Sequence, residues 1–253
     1  MSSKTERSIG RVNGECPPGG LSDPEVLDPN SVEVRFGNPE VDAPRSLELF
    51  TQPSTIEHLA NIPPLPLREH YRTLREFERA YRRRVNEIIS WYKNPNLALL
   101  TAETPSGLIV AVATVEKRSD DLAEIGKVVV VEGYRGKGIV DKTIRASSAY
   151  IFSEEGLNCR FAEAFVIVGR RDEEIPGHFE PMPGYHIAQN AFRRHGFEAR
   201  SDREGSTRSW SNELGKFVNR VSQPMELTRR RYKQEFPGYH IKYFPKQRPP
   251  KVA

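Results

Sequence analysis

Alternating and helically spaced apolar residues divide the chain into elements with clear breaks between them. The first signal is SVEVRF, where Val32, Val34 and Phe36 alternate with polar residues as in a half-buried strand. The turn Gly37-Asn38-Pro39 follows, then a short helix over 42–51 carrying Leu47, Leu49 and Phe50. From 67 to 93, Leu67, Tyr71, Leu74, Phe77, Tyr81, Val85, Ile88 and Tyr92 recur at steps of 3 or 4. That spacing puts them on one helical stripe with Arg and Glu opposite, and the whole stripe is expected to be core. Pro63, Pro64 and Pro66 precede this helix and Asn94-Pro95 ends it.

Three β-rich runs come next, at 96–103, 108–117 and 123–131, the first two joined by the turn Thr104-Pro105-Ser106-Gly107. Consecutive strands of this kind make an antiparallel meander. The chain then switches to a helix with Ile139, Ile144, Ser148 and Ile151 inward, and to a strand at 160–168. Strand, helix and strand of this length form a crossover, so the two flanking strands should be parallel neighbours. MELTRRRY (225–232) is a candidate closing strand. The fold class is α/β (α+β), a mixed central sheet with flanking helices.

The ends differ from this middle. Residues 1–30 hold Pro17, Pro18, Gly19, Gly20, Pro24 and Pro29 with very few large apolar side chains, and are expected to be disordered. A core over 31–200 and a C-terminal extension over 201–253 complete the predicted organisation. Charge follows the same division. Residues 1–60 carry 5 basic and 10 acidic groups, whereas 229–253 carry 8 basic groups against Glu235 alone. The basic tail interleaves Phe236, Tyr239, Tyr243 and Phe244, but no nucleic-acid motif accompanies it, so a nucleic-acid partner is only a weak alternative. With no run of 18 apolar residues and no apolar segment near the N-terminus, neither a membrane span nor a secretory signal is expected. Cys16 and Cys159 are too few for a disulfide framework, and the expectation is a soluble cytoplasmic protein.

Candidate chemistry gathers where a strand meets a helix, in VVVVEGYRGKGIVDKTI. Glycines at 136 and 138 let backbone N–H groups turn toward one point, and the helix N-terminus adds unsatisfied donors and a positive dipole end. Arg135 and Lys137 add charge, so the turn suits an anion, most plausibly a pyrophosphate. The chain lacks the GxxxxGK[ST] and GxGxxG patterns, which excludes a Walker loop and a dinucleotide fingerprint. No H-E-x-x-H or paired-cysteine spacing marks a metal site, although His178, His186 and His195 are present. Ser147 and Ser148 lack the GxSxG elbow of a hydrolase.

AEIGKVVVVEGYRGKGI resembles the acyl-CoA-binding core of the GNAT superfamily of N-acetyltransferases. The family signature Q/R-x-x-G-x-G/A falls on Arg135, Gly136, Lys137, Gly138, Ile139 and Val140, with Val140 standing where Gly or Ala is usual. The order of elements over 31–200 is also that of the family, and GYHIAQNAFRRHGFEA (184–199) resembles its last core helix and Gly-Phe strand. The resemblance implies a GNAT fold with splayed fourth and fifth strands, and acetyl-CoA as co-substrate. Its pantetheine would pair with Val129, Val130 and Val131, and its pyrophosphate would sit on 135–140. It implies Glu124 as general base, the other reading being an ordinary edge-facing strand glutamate or one paired to a neighbouring lysine. Phe192 stands where the family often has a thiolate-protonating tyrosine, leaving that role to solvent or to another group, Tyr185 and His186 being nearby with His195 as a third. His186, Gln189 and Asn190 are alternatively acceptor or cofactor contacts.

The function implied is acetyl transfer to a primary amine, on a small molecule or a peptide, by direct attack on the thioester. The acceptor site should come from 51–70, the loop 169–184 and the C-terminal segment, with Asp172, Glu173, Glu174 and Glu180 an acidic rim suited to a cation. Homodimers are common in such folds. The competing reading is a degenerate domain that binds without catalysing through its basic aromatic tail, kept open by Val140 and Phe192.

Overall fold

The computed structural model describes residues 28–59, 61–171 and 179–246. The predicted N-terminal tail, the acidic stretch 172–178 and the Pro-rich end lie wholly or largely outside them. Strand β1 (Glu33–Phe36) leads into helix α1 (Pro39–Phe50), the short α2 (Pro53–Ile56) and the long α3 (Leu74–Tyr92). Asn38 caps α1 through its side chain, and Pro39 occupies its first turn. The meander β2 (Leu97–Glu103), β3 (Ile109–Lys117) and β4 (Leu122–Val130) runs through the turn 132–134 into α4 (Ile139–Phe152) and β5 (Phe161–Arg171). Then come β6 (Phe179–Pro181), α5 (Tyr185–Arg193), β7 (Glu198–Ala199), the hairpin β8 (Gly205–Ser211) and β9 (Lys216–Thr228), α6 (Arg229–Glu235) and α7 (Tyr239–Tyr243).

One mixed sheet holds the molecule, in the order β1-β2-β3-β4-β5-β9-β7, with β6 on β5 and β8 on β9. Its one parallel pair among the described strands is β4–β5, as the crossover through α4 predicts. On one face α1 and α3 bring Leu47, Phe50 and Ile88 onto Leu99, Val112 and Val129. On the other, α4 and α5 bring Ile144, Ile151, Phe152 and Phe192 onto Val115, Ile125 and Ala164. Ile139, Ile144, Ser148 and Ile151 are all buried, as their spacing requires.

Two expectations are corrected. The stripe of α3 is core only toward its C-terminal end: Ile88 is buried, but Leu67 and Leu74 are each 51% exposed. The helix begins at Leu74 because Thr73 and Glu76 close a reciprocal capping box there, leaving Leu67 and Tyr71 outside it. Second, the chain at 225–232 is not a single strand, since Thr228 caps α6 and the strand instead runs back to Lys216. β9 lies between β5 and β7–β8, with Met225 and Leu227 buried, so this part of the predicted extension belongs to the same sheet as the core. Pro224 is tolerated inside it because β8 pairs 216–222 and β7 pairs 225–226, leaving a break between them. Its carbonyl accepts from the Arg200 N–H on that side, so the missing proline N–H also points into the break.

The tail aromatics are packed inward. Phe244 meets Phe36 and Tyr150 edge-on, while Tyr239 and Tyr243 lie against the Arg145 guanidinium of α4. They are occupied in closing the fold over α4. No helix among the described residues is long and apolar enough to cross a membrane.

Candidate active site

The sheet opens between β4 and β5. The two pair only from Leu122–Phe161 to Ile125–Ala164, after which β4 continues to Val130 and β5 to Arg171 without pairing. A β-bulge at Lys127–Val128 against Ala113 bends β4 at the start of this gap, with Lys127 at φ 48°. The Val131 N–H donates to Val110 O at 2.9 Å, which makes 110–131 and 112–129 the hydrogen-bonded pairs. Val129 and Val131 therefore turn their amides to β3. Of the three predicted pantetheine partners, Val130 alone turns its N–H and C=O into the gap, and Arg135 Nε donates to that carbonyl at 3.3 Å.

Below the gap lies the turn into α4. Gly136 and Gly138 both sit at φ 74°, where a Cβ would be strained, and an added Cβ at either would meet nothing within 4 Å. Open space thus lies where an anion would approach. Gly138 is the N-cap of α4 without a side-chain cap bond, and the first-turn amides of Ile139, Val140 and Asp141 have no acceptor one turn earlier. The Lys137 ammonium lies 5.2 Å from the Tyr134 ring centre. Val140 is half-buried against the core, turned away from the turn's open side. Arg135 Nη2 donates to Ser54 Oγ and Thr55 Oγ1, tying α2 to the gap.

Glu124 lies just before β4 and β5 part, in register with Glu163. It points to the face of α1 and α3, and Arg118 donates to its Oε2 through Nε at 2.9 Å and Nη2 at 2.6 Å. Tyr185 and His186 open α5 on the opposite face, Tyr185 half-buried and His186 exposed, their rings 5.9 Å apart. Phe192 is buried edge-on against Phe197 and has no proton to offer. His195 is buried and bonds Asp141 Oδ1 through Nε2 at 2.8 Å, joining the end of α5 to the first turn of α4. Burial pushes its pKa down despite that carboxylate, while burial of Asp141 is outweighed by His195 and Arg194, which hold its pKa down. Asp141 is thus an anion bonded to a neutral imidazole. No group of three or more metal-ligating side chains occurs among the described residues.

Lys127 was not singled out by sequence. Its ammonium lies 5.2 Å from the Trp91 ring centre, and burial pushes its pKa down although Glu124 and Glu116 oppose the shift. Nothing local marks a lysine within VVVV-type strand sequence as the site of a bulge.

No family model and no curated protein matches the sequence. Solved structures do. Spermidine N-acetyltransferase from Vibrio cholerae, in complex with CoA and spermine, is similar at 13% identity and a TM-score of 0.50, over 80% of this chain and 98% of that one. Ribosomal-protein-S5-alanine acetyltransferase from Vibrio fischeri is similar at 13% identity and a TM-score of 0.50, over 80% and 96%. The chain has the GNAT fold. Within that fold the parting of β4 and β5 and the glycine turn into α4 occupy the positions that the sequence resemblance implied for them.

Proposed function

We propose that this protein is an acetyl-CoA-dependent N-acetyltransferase acting on a primary amine. The observation that carries the reading is the glycine turn at 136–138, open on the side where a Cβ would stand and backed by free helix amides, set beneath the β4–β5 gap. The GNAT structures to which the chain is similar, one of them solved with CoA, support it. Acetyl-CoA supplies an activated acetyl group as a thioester. The amides of residues 136–141 would hold its pyrophosphate, since donors aimed at one point and a helix dipole favour an anion. The Val130 N–H is free to pair with an extended chain along the gap.

Glu124 is the proposed general base. It faces the side of the sheet that carries α1 and α3, and Arg118 holds its carboxylate in one orientation. Tyr185 is favoured over His186 as the proton donor, being half-buried at the start of α5 on the donor side of the sheet. The binding-module alternative loses ground, because the aromatics it depended on are packed against α4 and β1.

Calorimetric titration with acetyl-CoA, for the wild type and Gly138→Asp, tests the reading. Micromolar binding by the wild type that is lost in the variant, followed by thiol release on adding amines, is the expected result. Absence of binding by the wild type would overturn it. Gly138→Ala controls for backbone strain, which costs about 1 kcal/mol at such a left-handed position.

A further inference from the structure

Arg220 is a buried arginine that pairs with no acid among the described residues. It lies on β9, on the face shared with Glu226 and with α1–α3, and is only 8% exposed. Among the described residues its one hydrogen bond is from Nε to Ser209 Oγ at 3.2 Å, and it forms no ion pair. Its terminal nitrogens make no hydrogen bond there, yet they are not sealed from solvent. A buried guanidinium left this way is costly, and proteins ordinarily pair it. Most arginines elsewhere on this face are paired, Arg118, Arg200 and Arg203 among them.

Among the described residues Glu57, Glu180 and Glu213 act on this charge from a distance without pairing with it. Glu57 is the acid whose field acts on Arg220 most, but its Oε1 accepts from the Asn212 N–H, and Glu180 is taken by Arg170. His58, on the same turn as Glu57, is kept neutral by burial together with the positive charges of Arg135 and Arg220. On its own face Arg220 stands opposite Thr207 and beside Ser209 and Ser222, both buried, with Gly205 opposite Ser222. These small hydroxyls offer donors beside the guanidinium.

The position relates Arg220 to the gap. Val221 is in register with Gly169 of β5, beyond the point where β4 and β5 part. The segment 53–58 connects the two places, its Ser54 and Thr55 holding Arg135 at the Val130 carbonyl and its His58 lying in the field of Arg220.

We propose that Arg220, with Ser209 beside it, binds a carboxylate of the acceptor, so that the amine substrate is an amino acid or a comparably carboxylated amine. A planar guanidinium with two free terminal nitrogens matches a carboxylate in bidentate fashion. The inference rests on the acetyltransferase reading for the word acceptor, but the binding of the carboxylate is tested apart from turnover.

The experiment is calorimetric titration of the full chain, with and without CoA, using α- and ω-amino acids of increasing length and the carboxamide of each. At least one acid should bind about 10- to 100-fold tighter than its amide, the worth of a hydrogen bond to a charged group. That advantage should vanish in Arg220→Gln and persist in part in Arg220→Lys, with CoA binding unchanged in both. Equal binding of acids and amides, or a preference that survives Arg220→Gln, would overturn the proposal. Loss of CoA binding by the wild type would instead strike the acetyltransferase reading. Should Arg220→Gln fail to fold, the acid–amide comparison on the wild type and Arg220→Lys decides.

Discussion

At the residue scale, the environment of each ionisable group decides what it can do. His195 is buried and reaches only the carboxylate of Asp141, its Nδ1 having no partner among the described residues. Its folded pKa is lowered from 6.5, so the unfolded chain takes up a proton first as the pH falls. The stabilisation this neutral histidine contributes is therefore present above its unfolded value and lost as the pH falls through and below about 6.5. Asp141 is also lowered, but its contribution is lost only near and below 3.8, outside that window. Melting temperature should drop between pH 7 and 5 on this account. In His195→Gln, which keeps a donor for Asp141, that part of the slope should disappear. Circular-dichroism melts across the range check it, and an unchanged slope would show that His195 is not its source.

Elements were legible where their signal was local. The meander, the crossover helix and the parallel β4–β5 pair all follow from short apolar runs and the turns between them. The glycine turn was legible too, since Gly136 and Gly138 carry their conformational meaning in their own identity. What failed was the depth of α3. Its stripe has helical spacing along its whole length, but spacing states which residues share a face, not whether a neighbour covers that face. α1 and β2 cover the end near Ile88 and leave Leu74 in solvent. Ile88→Ala should cost about 2–5 kcal/mol through lost burial and a cavity. Leu74→Ser should lie within about 0.5 kcal/mol of wild type. Urea denaturation of the two variants compares them directly, and equal losses would mean that the exposed end is covered in solution.

Over the whole molecule, charge is organised by the sheet. Glu116, Glu124, Glu163, Glu226 and Glu198 stand in register across β3, β4, β5, β9 and β7, five carboxylates in one row on one face. Like charges directly opposite one another repel, and arginines offset them. Arg118 joins Glu116 to Glu124, Arg203 joins Glu163 to Glu226, Arg200 holds Glu226, and Arg231 reaches Glu198. Glu163 is the most enclosed of the row at 7% exposure, so Arg203→Gln should destabilise the protein by about 1–3 kcal/mol. Glu163→Gln in the same background should restore part of that loss. A double-mutant cycle by thermal melting measures the coupling, and independent effects would leave the row without a stabilising role for Arg203.

By itself the sequence determined the order of elements, the meander and crossover, and the open glycine turn at the head of α4. Each is set by the conformational preference of a few adjacent residues or by a period of two or three to four. Only the tertiary structure decided that β9 enters the sheet beside β5, that the tail aromatics fold onto α4, and that Val130 rather than Val129 or Val131 faces the gap. It also decided that Arg135 reaches α2 and that Arg220 is buried without an ion pair among the described residues. Those outcomes depend on strand register, on which face is covered, and on partners as far as 98 residues apart in the chain. Such contacts form only when the chain closes on itself, and no local pattern encodes them.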